Sequence, residues 1–265
     1  MIIFVVENLF LIKILKVILY PNAKINLGLN IIKKQSDGYH EINSVFYPVN
    51  SLFDILEVVP SDIFAFSSSG ITIPNGTNIC VKAFRLLQSD FSISNVKIHL
   101  HKKIAIGAGL GGGSSDGAFT LIALNKIFKL KLTNDQLKKY ALILGADCPF
   151  FIDNTPKFIS GIGEKMTNLN INLSKYKLKF FFPEIHISSE AAYSELVLQQ
   201  IDTKLLELVK QPIEKWKQQL RNDFEFSAFN NFPILKKVKQ KFYEEGALYS
   251  SMTGSGSVIY AIFNK

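Results

Sequence analysis

Over its first hundred residues the chain alternates short apolar runs with turn residues, a pattern that predicts strands with few helices. The runs fall at 16–19, 24–32, 51–59 and 96–101, and turn signals such as Ser36-Asp37-Gly38 and Pro74-Asn75-Gly76 separate them. The first true strand is read over 14–19, and 1–12 stands before it as an extra strand or the product of an upstream start codon. The period then lengthens. In 115–128, Ala118, Leu121, Ile122 and Leu124 recur at helical spacing, and 134–144 has Thr133 placed to cap its start and Gly145 to stop its end. A strand at 177–182, helices at 191–198 and 233–245, and a last strand at 257–263 complete an α+β pattern. No repeat and no Pro/Gly/Ser-rich linker interrupts it, so two closely packed domains are expected, 1–155 and 156–265.

Composition narrows the class. Hydrophobic residues make up 48% of the 265 positions and charged residues 20%, enough apolar surface to offset the entropy of ordering the chain. The net charge of +8 suits an anionic partner, although a solvated lysine-rich helix face (Lys236, Lys237, Lys239, Lys241) accounts for such an excess equally well. Aromatics reach 12%, but no basic cluster is interleaved with them, so nucleic-acid binding ranks last. Cys80 and Cys148 lie far apart with no neighbouring His or Cys, which indicates neither a zinc site nor a disulfide framework and fits a reducing, cytoplasmic setting. Glu7, Lys13 and Lys16 interrupt the apolar N-terminal stretch before it reaches the roughly 20 residues that a membrane span needs. It also lacks the basic start and small-residue cleavage site of a secretory signal, so no membrane association is expected.

The richest chemistry sits in GAGLGGGSSD, Gly107 to Asp116, where five of the seven residues up to Gly113 are glycine. An apolar strand-like run precedes it and a helix follows. Bare backbone N–H groups can approach a phosphate closely there, and the helix N-terminus aims roughly half a positive charge at the same place. A flexible linker would not usually separate a strand from a well-formed amphipathic helix. Gly107, Gly109 and Gly112 satisfy the spacing of a dinucleotide fingerprint, but the acidic residue about 20 positions on, Asp135, starts a helix instead of ending a strand. No Gly-Lys-Ser/Thr follows the glycines, which excludes a Walker A loop, and the protein-kinase signatures are missing. Two further residues are candidates for acid-base chemistry. Asp147 lies between the helix stop at Gly145 and Pro149, where the backbone is not expected to continue helically, and Lys24 is a single charge in a β-type apolar run. Spacing alone favours a structural ion pair or solvent exposure for both.

Three motifs in order, PNAKINLGL, GLGGGSSD and TGSGSVIYAIF, resemble those of the GHMP kinase superfamily. SDGYHEINSVF, GTNICVKAF, LGADCPFF, SGIGE and RNDFE resemble the branch that phosphorylates a cytidine diphosphate-linked methylerythritol in non-mevalonate isoprenoid synthesis. The likeness covers about 16–265. It implies a two-domain fold with the active site in the cleft between domains, use of ATP with Mg²⁺, a small-molecule substrate, and a monomer or weak homodimer. Asp147 would be the general base. An ordinary carboxylate is too weak to deprotonate an alcohol outright, so it would accept the proton as attack on the γ-phosphorus proceeds. Lys24 would hold the nucleophile and offset negative charge. The ATP phosphates would lie on Ala105, Ile106, Gly107, Ala108, Gly109, Leu110, Gly111, Gly112, Gly113, Ser114 and Ser115, with Asn78 and Lys82 near the nucleotide base. Asn26, Tyr39, His40 and Ser189 would form the substrate pocket, with Tyr193 stacking on the face of cytosine opposite Tyr39. Ala105 stands where the pattern has a proline, Thr253 where it has a serine and Ser189 where it has a threonine, conservative changes that bear on affinity. Read without the family, Tyr39 and His40 are a turn-flanking core tyrosine and a surface histidine. The remaining alternatives are another GHMP kinase, such as a homoserine or mevalonate kinase, which the DGYH stretch argues against, and a catalytically dead regulator on the same fold, which Lys24 and Asp147 argue against.

Overall fold

The computed structural model describes residues 16–36, 38–196 and 204–265. The expectations for 1–12, for the first two residues of the 14–19 strand and for the end of the 191–198 helix lie outside them. The chain opens with β1 (Val17–Leu19) and then a long antiparallel pair, β2 (Asn22–Lys34) and β3 (His40–Phe53). β2 is buried continuously from Asn22 to Ile31, as expected of a strand covered on both faces, and so carries Lys24 and Asn26 into the interior. The predicted run at 51–59 is two elements. Asp54 follows β3 and precedes β4 (Ile55–Pro60), its carboxylate oxygens held by Lys102, Lys103 and Ile104 from a later part of the chain.

β5 (Ala65–Gly70), α1 (Ile79–Phe91) and β6 (Val96–Lys102) follow as a β-α-β unit with β5 parallel to β6. The first half therefore holds a helix that its strand-like reading passed over. Cys80, Ala83, Phe84 and Leu87 are its buried face, at the spacing of one helical stripe. β1, β4, β6 and β5 form the first sheet in that order. Behind it pack α2 (Gly112–Ile127), α3 (Asn134–Leu144) and α4 (Cys148–Asp153). α3 carries the expected Thr133 cap, completed by Gln136 as a capping box. α2 starts within the glycines, three residues before the expected boundary. Pro149 does not forbid a helix; it lies in the first turn of α4, where its missing N–H costs nothing.

β7 (Lys157–Ser160) pairs with β3 and β8 (Lys165–Asn168) with β7, giving a second sheet in the order β2-β3-β7-β8. After β9 (Tyr176–Phe181) and α5 (Ser189–Ser194) come α6 (Leu205–Leu208), a 3₁₀ turn (Ile213–Lys215), α7 (Trp216–Gln219), α8 (Glu225–Asn231) and α9 (Pro233–Glu244). β10 (Tyr249–Met252) and β11 (Ile259–Asn264) then join β9 in a third sheet, β10-β11-β9. One core fills the space between the first sheet and α1 to α4, with Leu56, Phe84, Ile98, Leu121 and Phe150 fully buried. A second, around Ile25, Leu27, Trp216, Tyr249 and Tyr260, joins β2 to the third sheet. Leu29 of β2 also exchanges backbone hydrogen bonds with Arg221 (2.8 Å) and Asp223 (2.9 Å), which fixes the chain before α8 against β2.

Candidate active site

A cavity of about 610 Å³ opens where β2, β3, the β6-α2 loop, the start of α4 and the 186–193 segment converge. The glycine loop forms its wall. Gly109 has φ +78°, and a Cβ there would lie 1.9 Å from the carbonyl oxygen of Thr253, so only glycine lets the loop lie flat against the 253–256 turn. Thr253 Oγ1 donates to Gly109 O at 3.0 Å, and the backbone N–H of Lys24 donates to Leu110 O at 2.9 Å. The loop thus rests on both the C-terminal turn and β2. Gly111 is the N-cap of α2 and supplies no side chain, so the first N–H groups of this 16-residue helix have no side-chain cap. That leaves them available to an anion, which the helix dipole favours at the same end.

Beside the loop, Lys24 is only 3% exposed. A Cβ on Gly111 would touch its Cγ at 3.0 Å, so the lysine runs directly under the loop. Its Nζ donates to Asn26 Oδ1 at 2.6 Å, lies 3.8 Å from Asp147 Oδ2, and sits 4.4 Å from the centre of the Phe46 ring. Burial pulls the Lys24 pKa below its ordinary value, with the Asp147 carboxylate opposing. Asp147 occupies the N-cap position of α4 without making a side-chain cap bond, and its side chain is 35% exposed. The buried amine and the open carboxylate therefore meet at the cavity edge. Asn26 holds this corner together: its Oδ1 also accepts from the backbone N–H of Gly254 at 2.9 Å, and its Nδ2 donates to Ser44 at 2.8 Å.

The sequence-predicted residues divide as follows. Lys24, Asn26, Asn78, Ala105 to Ser114, Asp147, Ser189 and Tyr193 all line the one cavity. Asn78 also caps α1, accepting from Cys80 N at 2.8 Å. Lys82, one turn further along α1, is exposed and outside the cavity lining, while Ser115 is fully buried beneath it. Tyr39 and His40 are outside the lining as well. His40 nevertheless reaches the site by stacking on Tyr193, ring centres 4.8 Å apart and planes at 24°, and Tyr193 meets Phe224 edge-on at 4.9 Å. Burial, with Lys34 adding to it, lowers the His40 pKa, and burial raises that of the Tyr193 hydroxyl, with Asp147 adding to it. Tyr39 is 61% exposed. Ser189 Oγ is 3.3 Å from Ser255 Oγ, linking α5 to the C-terminal turn.

Sequence reasoning missed three contributors. His186 leans on the glycine loop so closely that a Cβ on Gly107 would meet its ring at 2.5 Å; nothing local in its extended segment marked it. Lys102 and Asp116 form the cavity floor with Asp54 behind them. Asp116 closes the glycine motif in sequence, and its position at the start of a helix was the available signal. Among the described residues no group of three or more His, Cys, Asp or Glu side chains is placed to cage a metal, and no helix is long and apolar enough to cross a membrane.

Similarity to known proteins bears on this arrangement. Residues 78–156 match the model of the GHMP kinases N terminal domain and residues 204–265 that of the GHMP kinases C terminal. The chain is 44% identical over 251 residues to a 4-diphosphocytidyl-2-C-methyl-D-erythritol kinase of Azobacteroides pseudotrichonymphae, covering 94% of each chain. It superposes on a crystal structure of 4-(cytidine 5'-diphospho)-2C-methyl-D-erythritol kinase with a TM-score of 0.80 and 31% identity, covering 93% of this chain and 90% of the other. Homoserine kinase from Cytophaga hutchinsonii shares the fold at a TM-score of 0.71 with 17% identity, covering 92% of this chain and 85% of that one.

Proposed function

We infer the activity from family and site together: the chain belongs to the GHMP kinases and, within them, to the 4-diphosphocytidyl-2-C-methyl-D-erythritol kinase family. It is a kinase that uses ATP to phosphorylate the 2-hydroxyl of 4-diphosphocytidyl-2-C-methyl-D-erythritol, yielding the 2-phosphate and ADP for isoprenoid precursor synthesis. The observation that carries the mechanism is the Lys24–Asp147 pair at 3.8 Å, opening into the same cavity as the uncapped N-terminus of α2.

The glycine loop and the first turn of α2 hold the triphosphate. As the substrate oxygen bonds to the γ-phosphorus, the bond from that phosphorus to the bridging β-γ oxygen breaks and ADP departs. Asp147 takes the hydroxyl proton during attack, because it is the partly open carboxylate beside the buried amine. Lys24, fixed by Asn26 and Phe46, offsets the charge shared by the attacking and transferred oxygens. Phosphoryl transfer asks for positioning above all, which the burial of Lys24 and Asn26 supplies.

Mg²⁺ fits this donor set as an ion carried on the nucleotide. It keeps most of its ligands as water and phosphate oxygen and needs only one or two carboxylates. Among the described residues there is no ready-made cage, and Asp147 is the carboxylate partly open to solvent that would receive the ion's water shell. When bound, the ion neutralises charge on the β- and γ-phosphates. Cytosine recognition is assigned to Tyr193 and His40, with the exposed Tyr39 beside His40 in sequence, and nucleotide-base contact to Asn78 with Lys82 one turn along α1. The division into 1–155 and 156–265, with β3 and β7 hydrogen-bonded across it, belongs to the same proposal, as do a cytoplasmic location and a monomer or weak homodimer.

ADP release measured with Mg·ATP and the cytidyl substrate, beside homoserine and mevalonate, tests the reading. Turnover confined to the cytidyl substrate supports it, turnover with either other alcohol overturns the substrate, and the absence of turnover with all three overturns the activity.

A further inference from the structure

The cavity floor holds a buried ion cluster that the transfer mechanism leaves without a task. Lys102, at the end of β6, donates from Nζ to Asp54 Oδ2 at 2.5 Å and to Asp116 Oδ2 at 2.7 Å, and all three side chains are at most 3% exposed. Asp54 is fully engaged, since its Oδ1 accepts from the backbone N–H groups of Lys103 (2.5 Å) and Ile104 (2.8 Å), where the chain enters the phosphate loop. Asp116 is half engaged. Its Oδ1 is buried with no partner, and Ser115 Oγ beside it is in the same condition; among the described residues no other buried side-chain nitrogen or oxygen is so placed. Lys102 and Asp116 both line the cavity, and a Cβ on Gly112 would lie 3.0 Å from Lys102 Nζ. The cluster therefore sits directly under the first turn of α2.

Two carboxylates on one ammonium would place a net negative charge beneath a cradle for a polyanion. An ionised, buried and unpartnered oxygen is costly in its own right. A proton on that oxygen removes both conflicts, since the cluster becomes neutral and the unpartnered acceptor becomes a donor.

We propose that Asp116 is a positioning residue of the nucleotide site that works as a neutral carboxylic acid: Oδ2 accepts from Lys102, and Oδ1 carries a proton that it donates to a phosphate oxygen of bound ATP. The inference rests on the reading of the cavity as an ATP site. Burial pushes the Asp116 carboxyl up to about 8, Lys102 working against that and Asp54 with it. The titratable groups facing Asp116 are Lys102 from β6, Asp54 from the β3–β4 corner and Cys80 from α1, whose Sγ is 3.8 Å from the Asp116 backbone oxygen. Burial opposes the charge on Lys102, but the two carboxylates hold its pKa above the ordinary value, so it stays an ammonium. Burial raises the Cys80 thiol to about 12, so it stays neutral. Lys102 thus stays charged and Cys80 neutral while Asp116 changes charge near pH 8.

The sign follows. ATP binds the protonated form, so affinity is full below pH 8, falls as pH rises through it, and binding near that pH takes up a proton. Calorimetric titration with Mg·ATP at pH 7, 8 and 9, in buffers of differing ionisation enthalpy, measures both effects. For the unaltered protein the expected loss approaches tenfold per pH unit above about 8, with proton uptake. Asp116→Asn places an amide donor where the protonated oxygen stood, so it binds at pH 7, with affinity level across the range and no proton uptake; Asp116→Ala loses about tenfold at pH 7. Affinity in the unaltered protein that is level or rises with pH overturns the inference, whether or not the variants fold. So does a folded Asp116→Asn that binds no better than Asp116→Ala. If the unaltered protein binds no ATP at any pH, the nucleotide reading itself fails, a result distinct from either of these.

Discussion

Replacing Gly109 by alanine puts the seating of the glycine loop on the C-terminal turn to a quantitative test. The new Cβ would stand 1.9 Å from Thr253 O, 2.8 Å from its carbonyl carbon and 3.3 Å from Gly256 O, all of them backbone atoms that no side-chain rotation can clear. Relaxing the shortest contact to about 3.4 Å requires the loop and the C-terminal turn to part by roughly 1.5 Å. That separation strains the Thr253 Oγ1 bond to Gly109 O at 3.0 Å and the Lys24 N–H bond to Leu110 O at 2.9 Å. Two hydrogen bonds at about 1 kcal/mol each, plus about 1–2 kcal/mol for an alanine at φ +78°, give roughly 3–4 kcal/mol. For a chain of this size that corresponds to a fall in Tm of roughly 10 °C. Gly113 is the internal control: a Cβ there meets nothing within 4 Å, and the position is helical, where alanine is preferred to glycine. Thermal unfolding, measured on both variants, should show Gly109→Ala impaired and Gly113→Ala unchanged or slightly stabilised, and Mg·ATP affinity should fall in Gly109→Ala. If the two behave alike, the loop does not rest on the C-terminal turn as described.

Asn26→Ala removes the closest acceptor of a buried ammonium and strands Gly254 N–H, so we expect a loss of about 3–5 kcal/mol in denaturant unfolding, far more than a surface substrate contact would cost. Tyr193→Ala removes the ring that His40 stacks on; KM for the cytidyl substrate should rise about tenfold or more while KM for ATP stays within about twofold, as measured by initial rates.

The glycine loop and the helix behind it were legible in the sequence because local chemistry alone, bare backbone followed by helical periodicity, specifies them. Lys24 and Asp147 were visible as residues, but only the family resemblance, and no local pattern, put them side by side. They are separated by over a hundred positions, and only the buried course of β2 and the first turn of α4 bring them together. The long strand β3 was obscured by its own motif residues, and α1 by the strand-like pattern around it, although Cys80, Ala83, Phe84 and Leu87 carried its stripe. Pro149 was read as a barrier to helix when it stands where helices admit proline. The Asp54–Lys102–Asp116 cluster could not be found by pattern, since its members come from a strand junction, a strand end and a helix start whose meeting only tertiary packing decides. His186 is the same kind of case, brought to Gly107 from the far half of the chain.

Phosphoryl transfer is followed directly by ³¹P NMR of the reaction of ATP with 4-diphosphocytidyl-2-C-methyl-D-erythritol, run on the unaltered protein and on Asp147→Asn. Transfer with Asp147 as the base should give one new phosphomonoester signal appearing in step with ADP, and a rate at least about a hundredfold lower in a folded Asp147→Asn that still binds Mg·ATP. ADP formed without that ester, or an Asp147→Asn variant that turns over at the original rate, would contradict it.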